Sequence, residues 1–283
     1  MSSRFAVIGF FFIVFILCIS VTVKAAWETG LKAGFDSNID RAIDGGKDDM
    51  SLSAYLSLGK ETTGESRLDW SITSTIEGTA YKKYSDLSYG EVTIAPGMVY
   101  FPYRLWSFTV SPFFQAKEVR DSDQSAIAFG GKVTLLQQVR PDFYLGQYYA
   151  YKNSSANVDT YSFEENAVGV LAGINLSKGI SGELDYEFSH GDSFRALSRS
   201  ASRAHTERKH SNSSGKGRYR TFSKAFGEFV IREPVDRHAV GIHIGKDWNK
   251  SFFSAADYTF TNAEGDSGSS TSSSGFISLG YRF

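Results

Sequence analysis

The stretch RLDWSITSTIE at residues 67–77 alternates polar and apolar side chains over almost its whole length. Successive side chains of a β-strand point to opposite faces, so this order gives one apolar face and one hydrophilic face. A strand of about ten residues, tilted by about 45°, crosses the hydrocarbon core of a bilayer. The stretch therefore predicts a membrane-spanning strand with lipid on one side and water on the other.

Similar alternation recurs along the chain and predicts about twelve strands. We expect them near residues 27–37, 50–60, 67–79, 87–99, 103–117, 126–138, 142–152, 165–177, 180–190, 237–247, 251–262 and 274–283. Pro96 and Pro112 each remove a hydrogen-bond donor, so their two strands are expected to be weakened or bulged. Short connections alternate with longer polar ones, as in bacterial barrels with short periplasmic turns and long outer loops. The predicted fold is all-β: a transmembrane antiparallel up-and-down β-barrel.

A soluble β-sandwich is the alternative, because its strands also alternate. The strands expected here are long, about eleven residues against a usual five or six. Aromatic residues also gather near the strand ends, where the two bilayer interfaces would lie. Both features favour the barrel.

The composition agrees with a chain made mostly of strands and turns. Aromatic residues reach 15% and there are 27 glycines, while the net charge of −1 gives no reason to expect nucleic acid as a partner. The single cysteine, Cys18, lies in the expected leader, so the mature chain would have no disulfide and no thiolate metal site. No other residues show metal-ligand spacing, and we expect no cofactor.

Residues 1–25 have the pattern of a secretory signal peptide. Arg4 supplies the positive start, an apolar run follows from Phe5 to Val23, and Val23-Lys24-Ala25 offers a cleavage site. A membrane anchor is the alternative, because the run is just long enough to span a bilayer. We expect residues 26–283 to form the barrel, exported through the periplasm to the outer membrane.

The last strand carries a recognisable pattern. Ile277, Leu279, Tyr281 and the terminal Phe283 alternate along one face. This resembles the C-terminal motif of bacterial outer-membrane β-barrel proteins, which include the porins. The resemblance implies that Leu279, Tyr281 and Phe283 form an assembly signal read by the barrel assembly machinery. It covers the architecture of the mature chain and does not identify a function.

The hydrophilic faces of the strands predict the lumen wall. The inward candidates are Glu28, Lys32, Arg67, Asp69, Glu77, Lys117, Lys132, Glu165, Glu183, Asp185, Glu187 and His243. Acids outnumber bases in this set, and opposite charges could pair across the lumen. A lone inward histidine such as His243 is more often a polar wall residue than a ligand.

The region near residues 191–236 is predicted to be a long basic surface loop. Its basic residues are Arg195, Arg199, Arg203, Arg208, Lys209, Lys216, Arg218 and Arg220. The loop could bind lipopolysaccharide or another anionic partner, could simply be solvated, or could fold inward and constrict the lumen. Residues 218–233 are apolar enough to contain further strands instead.

These observations favour porin-like passage of ions or small hydrophilic solutes. The alternative is a structural or binding barrel in which the basic loop, or an exported partner protein, carries the function. An enzyme is not expected. His190 and Ser193 are three residues apart, which on a strand puts them on opposite faces, and a serine nucleophile needs its base within hydrogen-bond reach.

Overall fold

The computed structural model of the chain describes residues 26–60, 66–197 and 220–283. The strands in these ranges are β1 (Ala26–Asp36), β2 (Asp49–Lys60), β3 (Leu68–Tyr81), β4 (Tyr89–Tyr103), β5 (Trp106–Val119), β6 (Ala126–Arg140), β7 (Phe143–Ala156), β8 (Phe163–Leu176), β9 (Ile180–Leu197), β10 (Arg220–Ser223), β11 (Glu228–Asp247), β12 (Phe252–Gly265) and β13 (Gly268–Arg282). Short 3-10 turns lie at Ser85–Leu87, Ser122–Gln124, Asp159–Tyr161 and Ser177–Gly179. None of the helical turns in the described ranges is long and apolar enough to cross a membrane. The expected leader, residues 1–25, lies outside those ranges.

Twelve of the strands form one closed antiparallel barrel. Each of β1–β8 pairs with the next strand in sequence, β9 pairs with β11, and β11, β12 and β13 follow in order. The barrel closes where β13 pairs with β1, with Lys32 opposite Ser278. All twelve predicted strands are present, so the prediction of a twelve-stranded up-and-down barrel is confirmed.

The wall follows the alternation seen in the sequence. On β2, Leu52 and Leu56 point outward, and 58% and 41% of their surfaces are exposed. Ser53 lies between them on the inner face and shares a 2.8 Å hydrogen bond with Thr79 of β3. An outer surface rich in exposed leucine and aromatic residues is stable when lipid covers it, as in transmembrane barrels.

The two prolines face each other across the β4–β5 pair. The pairing joins Ile94 to Phe114 and Met98 to Val110, and the ladder is interrupted between these two pairs, where Pro96 lies opposite Pro112. Neither proline has a backbone N–H to donate. Both strands continue through their prolines, so the expected irregularity is limited to a gap in the pairing between β4 and β5.

The predicted surface loop near residues 191–236 is too long. β9 continues to Leu197, and β11 begins at Glu228, with Leu197 paired to Phe229. Val230 and Val235 are almost completely buried in this extension, which explains why the chain stays in strand conformation. The short strand β10 pairs with the start of β11 and lies outside the closed wall, so residues 218–233 do contain further strand.

Candidate functional site: a roofed lumen

The outer mouth of the barrel is crossed by the first outer loop, residues 37–48. The carbonyl of Asp40 accepts a 3.0 Å hydrogen bond from the backbone N–H of Ala196 on β9, four strands away around the barrel. Near its start, the loop is closed by Asn38, whose side chain donates to Ala42 O and accepts from Ala42 N, both at 2.9 Å. The loop is therefore held across the opening rather than extended into solvent.

Buried apolar side chains hold this loop in place. The cluster consists of Ala42, Tyr161, Ala196, Phe226 and Val230, and we call it the roof. Ile39, Tyr84, Leu87, Ala156, Val158 and Phe194 pack against it. The residues come from five separate segments, and burying their apolar surface favours closure of the mouth.

A cavity of about 450 Å³, which we call the outer chamber, lies beneath the roof. Its charged lining side chains are five bases and two acids: Arg41, Lys117, Lys152, Arg195, Arg237, Asp36 and Glu91. Most come from the outer halves of the spanning strands, whereas Arg41 comes from the first outer loop. The upper lumen is therefore lined mainly by cations.

Two of these cations have carboxylate partners. Arg237 forms a 2.9 Å ion pair with Glu165 of β8. Arg195 forms a 3.3 Å ion pair with Glu233 and donates to Ala263 O and Ser270 Oγ, and both members of the pair are almost fully buried. The prediction that Arg195 belongs to a basic surface patch is wrong, because β9 continues past it and directs its side chain inward.

The other three cations lack a carboxylate within ion-pair distance among the described residues. The Arg41 guanidinium donates to Ser193 Oγ at 2.7 Å and lies 4.9 Å from the Phe194 ring centroid. Burial, followed by repulsion from Arg237, lowers the pKa of Arg41 to about 10, so it remains charged at neutral pH. Lys152 donates to the Gln115 side chain at 2.9 Å, and Lys117 lies 3.8 Å from the centroid of the Tyr89 ring.

The inner half of the lumen has a different character. Glu183, Asp185 and Glu187 follow one another along the inner face of β9. Tyr144 donates a 2.7 Å hydrogen bond to Glu183, and Tyr148 donates one of the same length to Glu187. The tyrosine hydroxyls thus stabilise two of the three carboxylates, which form an acidic strip.

The remaining predicted wall residues make paired contacts. Lys32 bonds to Glu77 at 2.8 Å, Glu28 to Arg282 at 3.1 Å, and His243 to Asp257 at 2.6 Å. Lys132 lies 3.7 Å from the Tyr148 ring centroid.

Two of the predicted wall residues lie at the inner rim. Asp69 is buried with Lys60 3.6 Å away, whereas Arg67 is exposed just before β3. A role of these wall residues in handling a solute stays a prediction.

The sequence analysis did not single out three important lining residues. Lys152 and Arg237 follow the inward alternation of β7 and β11 and lie at the outer ends of the predicted strands 142–152 and 237–247, so counting those end positions as lumen wall would have found them. Arg41 gives no such signal, since it reaches the lumen only because the first outer loop folds inward. Its left-handed backbone (φ 54°) is set by the compact turn that follows Asn38.

The basic patch can be placed only in part. Arg199, Arg203, Arg208, Lys209, Lys216 and Arg218 lie outside the described residues. Arg220 begins β10, and its guanidinium lies 4.0 Å from the Phe229 ring centroid. Binding of an anionic surface by this patch stays a prediction.

The His190–Ser193 pair has the geometry expected from the sequence. Ser193 faces inward and accepts from Arg41, whereas His190 is exposed on the outer side with Asp236 Oδ1 2.6 Å from its Nδ1. The two side chains therefore cannot act as nucleophile and base. Among the described residues, no group of three or more His, Cys, Asp or Glu side chains is arranged to hold a metal ion.

The C-terminal motif lies at the inner end of the wall. Leu279 and Phe283 point outward and are largely exposed. Tyr281 packs edge to face against Phe283 and Phe252, with ring centroids 4.8 and 5.0 Å apart. Its recognition by the barrel assembly machinery stays a prediction.

Comparison with solved structures finds porins of similar fold. A structure described as the KdgM porin in complex with disordered oligogalacturonate has a TM-score of 0.51 and 7% identity, covering 90% of this chain and 99% of that one. The KdgM porin alone has a TM-score of 0.49 and 8% identity with the same coverage. The NanC porin has a TM-score of 0.46 and 10% identity, covering 89% of this chain and 98% of that one.

Comparison of the sequence gives no further assignment. No family model matches the chain, and no curated protein matches it. What the similarity shows is the fold: this chain forms a closed, twelve-stranded β-barrel like those of porins.

Proposed function

We propose that this protein is an outer-membrane channel for ions or small hydrophilic solutes. The observation that carries the proposal is a charged inner face that continues along the barrel, from Glu28 and Arg282 at the inner end to Lys117 and Arg237 at the outer end. A hydrophilic inner face is typical of barrels that enclose water.

The size of the barrel supports this proposal. Twelve strands spaced about 4.8 Å apart and tilted by about 40° give a backbone diameter of about 24 Å. Inward side chains occupy about half of that width, which leaves a passage of about 10 Å on the same geometry. The narrowing feature is then the roof, and the first outer loop would limit the rate of passage.

The test is the conductance of the purified mature barrel in planar bilayers. Discrete steps in potassium chloride are expected, and a heat-unfolded sample of the same preparation should give none. The proposal fails if the folded, heat-modifiable wild-type barrel gives no steps.

A second candidate is a closed barrel that binds a partner or has a structural role. The observation that favours it is the tight packing of the roof, in which Val230 is completely buried and Ala196 is 1% exposed. In that case the wild-type barrel would not conduct, whereas a variant with Asn-Gly in place of residues 38–47 of the first outer loop would. The partner would meet the outer surface of the barrel.

The expected export, insertion and lipid surroundings of the chain belong to the same proposal. The chain would be exported with residues 1–25 as its signal peptide, inserted by the barrel assembly machinery, and surrounded by outer-membrane lipid and lipopolysaccharide. The apolar outer surface and the terminal Phe283 support this route. Export can be tested by the mass of the mature protein, which should begin near residue 26.

A further inference from the structure

We propose that the outer chamber is a binding site for small anions bearing a carboxylate or phosphate group, and that the channel therefore prefers anions. Only the second part of this inference, the preference of the channel for anions, rests on the proposed channel function. Binding in the chamber can be tested whether or not the barrel conducts.

The first support is the local excess of positive charge. Glu165 and Glu233 neutralise Arg237 and Arg195. Three cations then remain in the lining, Arg41, Lys117 and Lys152, against the two acids Asp36 and Glu91. Three positive and two negative charges leave a net charge of +1, and a positively charged cleft concentrates anions.

The second support is that these cations are free to meet a ligand. The Lys117 ammonium group makes no hydrogen bond or ion pair with any residue that the structure describes, and it lies against the Tyr89 ring. Glu91 lies opposite Lys117 in the β4–β5 register but accepts a 2.8 Å hydrogen bond from Gln115 instead. Lys152 donates to the same glutamine, so its remaining protons are available.

The third support is a donor left without a partner at the wall of the chamber. Arg237 Nε is buried and has no hydrogen-bond partner among the described residues, although the same guanidinium pairs with Glu165. Buried donors are usually satisfied, so such an atom indicates a missing water or ligand oxygen. An anion bound beside Arg237 would supply an acceptor.

The chamber also has a suitable size and position. Its volume of about 450 Å³ lies in the range of small-molecule sites. The acidic strip of Glu183, Asp185 and Glu187 lies toward the inner end, so a bound anion would be held above it. The first outer loop contributes Arg41 from above, which couples the state of the roof to occupancy of the site.

The experiment compares two charge-matched double variants. K117Q/K152Q removes two cations of the chamber, while K82Q/K83Q removes two lysines from the outer β3–β4 connection, where Lys83 pairs with the exposed Asp48. Each folded barrel is titrated calorimetrically with inorganic phosphate, succinate and glycerol at low ionic strength. Reversal potentials in a potassium chloride gradient are measured on the same proteins.

The expected result is binding of phosphate or succinate, but not glycerol, by the wild type and by K82Q/K83Q. In K117Q/K152Q, affinity and the chloride-to-potassium permeability ratio should each fall by about threefold or more, because the charge of a cleft sets its counter-ion concentration. If the double variant folds poorly, the single variant K117Q takes its place, because the Lys117 side chain has no hydrogen bond to lose. K117Q should lower the affinity and the permeability ratio by a smaller factor.

The outcomes separate the two proposals. Anion binding that depends on Lys117 and Lys152 in a barrel without conductance would support the chamber and contradict the channel. Binding of phosphate alone or succinate alone would identify the group that is recognised. If neither anion binds, or if K117Q and K117Q/K152Q bind as the wild type does, the inference is overturned.

Discussion

The two ends of this barrel are built by different means. At the outer end, Val230 and Ala196 are buried in the roof, and the ion pair between Arg195 and Glu233 is shielded from water. At the inner end, Arg282 bonds to Glu28 and Asp247 with all three side chains at least a third exposed. The same twelve strands form the wall at both ends. The difference therefore arises from how the segments that connect the strands pack at each end.

This comparison shows where side-chain interactions matter most for stability. Exposed ion pairs contribute about 0–1 kcal/mol each, because water competes for both partners. Breaking a buried pair by removing one partner costs about 3–5 kcal/mol, because a charge is left without compensation. The outer end should therefore respond strongly to single substitutions, and the inner end weakly.

The largest effect should follow from removing the first outer loop. If residues 38–47 are replaced by Asn-Gly, a two-residue hairpin turn, β1 and β2 remain connected. Because the membrane strands satisfy their hydrogen bonds with each other, the barrel should still fold. Single-channel conductance should rise several-fold. Replacing the inner turn at Ser177–Gly179 in the same way should leave the conductance unchanged, and an equal rise in both variants would contradict the roof as the restriction.

The next effect should come from Glu233→Ala. Loss of this carboxylate leaves the buried Arg195 without its charge partner, and we expect a loss of about 3–5 kcal/mol in the unfolding free energy of the outer end. Limited proteolysis and urea unfolding in detergent measure it. The control is Glu228→Ala, which removes a half-exposed partner of Lys47 and should cost about 1 kcal/mol or less. Similar losses in the two variants would show that burial of the pair is unimportant.

A smaller effect is expected from Phe226→Ala in the roof. Its ring lies 6.2 Å from the rings of both Tyr84 and Phe194, and truncation of a buried phenylalanine costs about 3 kcal/mol. Phe222→Ala is the matched control, because Phe222 is 52% exposed on β10. Protease sensitivity of the outer end should increase in the first variant only.

The smallest effect should come from Tyr148→Phe at the inner half. The variant removes one hydrogen bond to Glu187 in a wall that water can reach, so we expect a loss of about 1 kcal/mol. Chemical unfolding in detergent measures it. A loss as large as that of Glu233→Ala would mean that the inner half is as dry as the outer one, and the comparison between the two ends would be wrong.

The parts predicted correctly from the sequence are those governed by local alternation. Leu52 and Ser53 point to opposite faces because a strand has a period of two, and lipid outside the barrel makes that pattern repeat in every strand. The same rule placed Glu183, Asp185 and Glu187 together. The irregularity at Pro96 and Pro112 follows from a separate local property, the missing N–H donor, whereas their direct opposition depends on strand register.

The parts that were not predicted depend on contacts between distant segments. Nothing near Arg41 indicates that it reaches the lumen, since that depends on packing of Ala42 against Tyr161, Ala196 and Phe226. Arg195 was predicted to lie in a surface loop because the region that it begins is rich in Ser, Arg and Lys. Its burial depends on Glu233 and on the carbonyl of Ala263, which only the folded barrel brings together.

The roof also has a kinetic consequence. Arg41 bonds to Ser193 across 152 residues, and Asn38 bonds to Thr271 across 233 residues. Contacts between residues so far apart in sequence form late, because the intervening chain must be ordered first. The first outer loop, although made early, can dock only after the last strands are in place. Interactions formed this late slow unfolding more than they speed folding. The roof would therefore set the lifetime of the finished outer end, while the barrel that is still assembling keeps an open mouth.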